Sequence, residues 1–285
     1  MPKLNNGHNR LRNQSSRVEA TTCALAVMTK APQAGSSKTR LVPPLAAAQA
    51  AKLSGCFLRD TCENIASVCS DGTAAGVAVY TPLGAESFFK GLVPPSFRFL
   101  GQRGTLFGDR LLNASEDLFS LGYDSLCLID ADSPTLPSKF LRAAVLALAQ
   151  PGDRMVLGPA RDGGYYLIGL KKLHRHLFEN IDWSTSRVLT QTIARAKELK
   201  LPVTLLPPWF DIDDATTLRQ LCDELVFNQD TLPGQSTTVA YRAPHTRAYL
   251  ARLLETDTGL QIWENVAETR DVTAGESRRC DATVD

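Results

Sequence analysis

A chain of 285 residues with 44% apolar content can fill the core of one large α/β domain or two small ones, which excludes a disordered protein. Charged residues make up 21% and the formal net charge is +1, so no global field draws the molecule to nucleic acid or to an acidic membrane surface, and any anion recognition has to be local. Seven cysteines, odd in number and never spaced C-x-x-C, read as small buried apolar side chains of a cytoplasmic, reducing setting, against a disulfide framework or a zinc site; no apolar run approaches the ~20 residues of a membrane span.

Residues 1–20, rich in Asn, Arg and Ser and nearly free of acids, read as a disordered tail; such a start also suits an organelle transit peptide. From Cys23 onward short apolar runs alternate with longer helical patterns, the signature of a parallel sheet covered by helices. The runs are 23–29, 74–81, 124–130, 154–158, 165–170 and 201–207. Between them, Pro43 and Pro44 precede an Ala-rich helix reaching about Val68, and a mostly apolar stripe from Leu106 to Leu121 predicts a second helix ending near Gly122. A third spans about 137–149, a fourth runs from a Ser184 cap to about Lys197, and a fifth follows Asp213 or Asp214 as its cap. After about Phe227 the alternation stops, a linker follows, and 245–255 predicts one more helix. The division expected is therefore a tail over 1–20, a domain over 21–227 and a partly helical extension over 228–285.

The first apolar run leads into "KAPQAGSSKTRL", 30–41. A Walker loop needs glycines six residues and one residue before its lysine, and those positions ahead of Lys38 are Pro32 and Ser37; Pro32 also removes an amide donor, so the ATPase reading fails. Lys30, Lys38 and Arg40, with Gly35 for the turn, still cluster beyond the carboxyl end of a buried strand, where α/β sheets bind ligands. Three cations there suit a phosphate chain, and solvated loop charges would look the same.

The run 124–130 ends directly in Asp130-Ala131-Asp132. Carboxylates at i and i+2 of a strand end project to one side and can hold a hard divalent cation, although they can equally solvate a turn or cap the next helix. Asp211 and Asp213 repeat the alternation after the last run. Between the two sets, Asp162-Gly163-Gly164 permits close backbone approach to a ligand, with Tyr165 beside it, and an ordinary Asp-Gly turn has the same pattern. Trp183 offers a ring for stacking on sugar or base, or is a core residue.

The order of these motifs, "KAPQAGSSKTRL", "IDADSPTLP", "GPARDGGYYLIGL", "IDWSTSRVL" and "FDIDDATTL", resembles a family of bacterial GT-A-like glycosyltransferases, some associated with arsenosugar biosynthesis and radical-SAM gene neighbourhoods. The motifs are also similar to those of phospholactate guanylyltransferases and molybdenum-cofactor nucleotidyltransferases. The resemblance implies the nucleotide-diphospho-sugar transferase fold, a Rossmann-like three-layer α/β/α mixed sheet. By the family's Asp-x-Pro pattern, Asp132 is the better metal ligand and Asp213 the second; Asp130 is a further candidate, to which the resemblance assigns no role, since relatives often carry a single acid where this chain has Asp130-Ala131-Asp132.

The function expected is a Mg²⁺- or Mn²⁺-dependent transfer of a sugar from a nucleotide-diphospho-sugar to a small acceptor. Asp132, Asp162 and Lys38 are its catalytic candidates, Lys30, Gly35, Arg40, Gly163 and Gly164 its phosphate contacts, and Tyr165, Trp183 and Asp211 its substrate contacts. Nucleotidyl transfer to a phosphorylated acceptor with pyrophosphate release is the alternative, and a non-catalytic nucleotide-binding module the second. The partners in each case are small molecules, not nucleic acid or membrane.

Overall fold

The computed structural model describes residues 23–227 and 239–256. The 1–20 tail, most of the predicted linker and the stretch after 256 lie outside the described residues.

Among the described residues seven strands form one sheet: β1 (Cys23–Lys30), β2 (Ala74–Thr81), β3 (Arg98–Gly101), β4 (Ser125–Ile129), β5 (Met155–Pro159), β6 (Tyr165–Leu170) and β7 (Val203–Leu205). Their order is β3-β2-β1-β4-β6-β5-β7, and β6 alone runs antiparallel to its neighbours. The reason is local. Residues 160–164 join β5 to β6, which is enough for a hairpin and far too short for the helical crossover that a parallel pair requires.

The sheet is buried on both faces, as its continuous apolar runs predict. Alternate residues of β1 divide between two cores. Cys23, Leu25 and Val27 pack with α1 (Ala47–Cys69) and α3 (Ser138–Ala149), whereas Ala24 and Ala26 pack with the layer of α2 (Phe107–Ser120) and α4 (Val188–Glu198). The result is the expected three-layer arrangement.

α1 begins at Ala47, with Pro43 and Pro44 ahead of it as the sequence predicts. Two local expectations change. β3 was not predicted: it is a four-residue edge strand with Phe99 exposed, and so leaves no apolar run in the sequence. α4 begins only at Val188, because Ser184 takes a left-handed backbone (φ 63°) and residues 184–187 form a loop instead of a helical turn.

The predicted last helix is α6 (Pro244–Leu254), and it packs back onto α1. Both oxygens of buried Asp60 on α1 accept from its first amides, His245 N at 3.1 Å and Thr246 N at 2.7 Å, while Glu63 pairs with the His245 ring at 2.9 Å. Leu250 and Leu253 of α6 then join Leu41, Leu45, Phe57 and Ile212, with Leu218 of α5 (Ala215–Cys222), in a third apolar cluster. Leu41 and Ile212 adjoin Arg40 and Asp213 in the chain, so this helix supports the two loops that carry predicted site residues. Among the described residues no helix is long and apolar enough to cross a membrane, and no described cysteine is in a disulfide.

Candidate functional site

The loops after β1, β4, β5 and β7 gather at one edge of the sheet. Two cavities there, of about 290 and 400 Å³, share Met28, Arg40, Ala131, Asp132 and Asp213 on their walls and so form two lobes of one cleft. The first lobe is the basic loop. The second is lined by Asp130, Asp162, Asp211, Phe107, Tyr165 and Trp183, among others.

The basic loop is a tight turn that closes on itself. The amides of Ser36 and Ser37 both donate to Gln33 O at 3.1 Å, and the buried Ser37 hydroxyl donates to Ala31 O at 3.1 Å. Those two amides are therefore used within the turn and do not form a phosphate cradle of the Walker kind. Gly35 supplies a left-handed residue (φ 77°) to the turn but does not line the cleft. Lys30 and Arg40 do line it; Lys30 Nζ donates to Ser36 O at 3.0 Å, and the Arg40 side chain is largely exposed.

Lys38 departs furthest from expectation. Its side chain is only 7% exposed, and its ammonium is held by Asp213 Oδ1 at 2.9 Å, Asp132 Oδ1 at 3.0 Å and the carbonyl of Ile212. The ring of Phe57 lies 5.9 Å beneath it. Burial by itself pulls the ammonium pKa down, but Asp132 and Asp213 outweigh that and raise it, so the lysine is a fixed cation. The two carboxylates reach it from loops some eighty residues apart because Ile212 N donates to Asp132 O at 3.0 Å, pinning the two turns together. Asp214 caps α5, its Oδ1 accepting from Thr217 N at 2.8 Å, which leaves Asp213 for the cleft.

Asp130 and Asp132 do not project together. β4 stops at Ile129, so the period-two rule does not reach the turn that follows. Asp130 bends inward, accepting from Ser133 Oγ at 3.0 Å and Asp132 N at 3.3 Å, while Asp132 turns to Lys38. Burial first, then Asp132 and Asp211, push the Asp130 carboxyl well above the usual range. Asp132 and Asp213 are the pair that the fold brings to one point. Each is a hard oxygen donor with a side chain 42–43% exposed, which suits a divalent cation that keeps waters and substrate oxygens in its remaining positions. A separate group within ligand distance of one another, Asp60, Glu63 and His245, is the α1–α6 contact already described, with both Asp60 oxygens committed to amides.

In the second lobe Asp162 Oδ1 accepts from Gly164 N at 2.8 Å, which orders the hairpin turn. Gly164 lines the cleft. Gly163 does not line the cleft: at φ 94° its missing Cβ would stand 2.3 Å from Ser186 O, so its close approach is to the 184–187 loop. Asp211 lies on the cleft wall, and its carboxyl is pushed up to about 6 by burial and by the neighbouring Asp162 and Asp213. Trp183 is partly buried, edge-on to Phe107 at 5.4 Å between ring centres, and packed so closely on Gly108 that a Cβ there would meet its Nε1 at 2.3 Å. Phe107 and Ser54 were not singled out in the sequence, and Ser184 only as a helix cap. Nothing in the neighbourhoods of Phe107 and Ser54 marks them, because α2 and α1 deliver them to the cleft.

The family described as "Uncharacterized protein conserved in bacteria (DUF2064)" matches residues 64–185. No curated protein matches the sequence. A crystal structure from Desulfovibrio desulfuricans G20, provisionally described as a nucleotide-diphospho-sugar transferase, superposes with a TM-score of 0.69 at 27% identity, covering 82% of this chain and 95% of that one. A 4-diphosphocytidyl-2C-methyl-D-erythritol synthase from Anaerococcus prevotii DSM 20548 gives 0.48 at 12% identity over 72% and 96% of the two chains. Glucosyl-3-phosphoglycerate synthase from Mycobacterium tuberculosis, solved with Mn²⁺, UDP and phosphoglyceric acid, gives 0.44 at 12% over 72% and 76%. The mixed seven-stranded sheet is the nucleotide-diphospho-sugar transferase fold, on the likeness to the Desulfovibrio protein.

Proposed function

We propose that this protein transfers a sugar from a nucleotide-diphospho-sugar to a small hydroxyl-bearing acceptor, with Mg²⁺ or Mn²⁺ as cofactor. The observation that carries the reading is the polarity of this two-lobed cleft: Lys30 and Lys38 stand at one end, and Asp162, Asp211, Tyr165 and Trp183 at the other, with Arg40, Asp132 and Asp213 between. A diphosphate fits the cationic lobe, and a sugar and its acceptor fit a lobe of carboxylates and rings.

Asp132 and Asp213 would hold the metal, whose chemistry is to neutralise the charge that develops on the leaving diphosphate. Arg40, whose side chain is largely exposed and pairs with Asp213 Oδ2 at 3.5 Å, can meet the same oxygens. Asp162, tethered by Gly164, orients an acceptor hydroxyl. Asp211, with its carboxyl pushed up to about 6, is matched to take the hydroxyl proton near neutral pH. Asp130, turned onto Ser133, serves chiefly to shape the loop that carries Asp132.

Nucleotidyl transfer needs a phosphorylated acceptor. Beyond the shared Arg40, Asp132 and Asp213, the acceptor lobe is lined by three carboxyl groups (Asp130, Asp162, Asp211) and no further cation, which disfavours an anionic acceptor and supports sugar transfer.

A thermal-shift panel of nucleotide sugars, nucleoside diphosphates and triphosphates, each with and without Mn²⁺, tests the assignment. Stabilisation of several degrees by a nucleotide sugar, dependent on Mn²⁺ and abolished in a folded Asp132→Ala variant, is the expected outcome. A response confined to a triphosphate would transfer the assignment to nucleotidyl chemistry.

A further inference from the structure

An ammonium group has three N–H donors, and those of Lys38 meet three protein acceptors: Asp132 Oδ1, Asp213 Oδ1 and the Ile212 carbonyl. No donor remains for a phosphate oxygen. Conversely, the Oδ1 atoms of Asp132 and Asp213 both accept from the same ammonium, and Asp213 Oδ2 pairs with Arg40 at 3.5 Å. A lysine placed to bind phosphate and a carboxylate pair placed to bind metal have thus neutralised each other.

The side chain is not free to step aside on its own. It is 7% exposed, it lies over Phe57, and its own residue is in the left-handed conformation at φ 49°. A divalent cation approaching Asp132 and Asp213 meets a resident positive charge already between them, and a phosphate approaching Lys38 meets two carboxylates.

We propose that Lys38 is a resident counter-cation that keeps the metal position closed in the free protein, so that divalent cation and phosphate enter only together. A phosphate group that takes over the Lys38 donors releases both carboxylates, and a cation that takes over the carboxylates releases the donors. Linkage makes this coupling reciprocal: each ligand raises the affinity for the other by the same factor. The inference rests on the reading of the cleft as a metal–diphosphate site, and it deepens that reading by assigning an order of assembly to it.

The test needs neither turnover nor knowledge of the sugar. Mn²⁺ binding by the full chain is read from the loss of the free-ion EPR signal, in wild type and in Lys38→Met. The expected result is weak, millimolar binding by wild type and at least tenfold tighter binding by Lys38→Met, a gain that adding Asp132→Asn removes. In the opposite direction, calorimetry with inorganic pyrophosphate in metal-free buffer should show at least tenfold tighter binding by Asp132→Ala, whose Lys38 has a donor released, than by wild type. Wild type that binds Mn²⁺ as tightly as Lys38→Met overturns the proposal. If circular dichroism shows Lys38→Met unfolded, the pyrophosphate comparison decides, and the absence of a gain there overturns it equally. Failure of the glycosyl reading is distinguishable, since it would leave both gains in place while no nucleotide sugar stabilises the protein.

Discussion

Asp211→Asn should make the protein more stable at pH 8, and the gain should fade on acidification. The carboxyl of Asp211 lies against Asp162 and Asp213 in a partly dehydrated wall, which moves its pKa from 3.8 to about 6. At about 1.4 kcal/mol for each tenfold change, that displacement is worth about 3 kcal/mol for a fully dehydrated group. Asp211 keeps part of its surface in contact with water, and screening reduces the figure to about 1–2 kcal/mol.

The sign follows from proton uptake. The folded value lies above the unfolded one, so the folded state holds more protons between about pH 4 and 6, and stability falls as pH rises through that window. Above it, wild type carries the full cost of a crowded anion, and the neutral amide does not. Urea unfolding of both proteins at pH 8 and pH 4.5 gives the comparison directly, with the gain at pH 4.5 expected to be about a third of that at pH 8. A variant less stable than wild type at pH 8, or one with an equal gain at both pH values, would refute the electrostatic account of this wall. A binding site that destabilises its own fold in this way is relieved when a positive or hydrogen-donating ligand enters, which ties the measurement to the function proposed.

The other predictions concern the scaffold of the cleft. Gly163→Ala adds a Cβ at φ 94° and 2.3 Å from the Ser186 carbonyl oxygen, so it should cost about 3 kcal/mol in urea unfolding; a loss under about 1 kcal/mol would mean that the 184–187 loop does not press on the hairpin turn. Asp60→Asn leaves one carbonyl oxygen where two carboxylate oxygens now cap α6, and should destabilise that helix by about 1–3 kcal/mol. Hydrogen exchange should accelerate in residues 244–254 while the amides of β1 stay protected, and uniform acceleration would show that α6 does not open as a separate unit.

The layers of the fold were legible because buried parallel strands are written as unbroken apolar runs. Six of the seven strands follow from such runs, and the exception, β3, is an edge strand with no core to fill on its outer side. The antiparallel course of β6 was not legible from its own residues, since a buried strand has the same apolar composition in either direction; the short Asp-Gly-Gly connection carries that information. The predicted cap at Ser184 failed for a related reason. Capping residues also populate left-handed loop positions, and the packing of Ser186 on Gly163 decides between the two.

At the cleft, the chemistry of the residues was readable and their partners were not. A basic loop, Asp132, Asp162, Asp211 and Asp213 each stand where an apolar run ends, and chain direction alone puts strand ends and their loops at one edge of a sheet. Which carboxylate faces which cation depends on contacts between residues 38, 132 and 213, set by one backbone hydrogen bond from Ile212 to Asp132 and by an apolar cluster to which α6 contributes. The sequence by itself determined a doubly covered sheet with anion-binding and cation-binding residues gathered at one edge, because hydrophobic periodicity and strand ends are local properties. Only the tertiary structure decided that Asp130 turns inward, that Gly163 serves a neighbouring loop, and that Lys38 lies between Asp132 and Asp213, because electrostatic pairing is settled by distance in space and not by spacing along the chain.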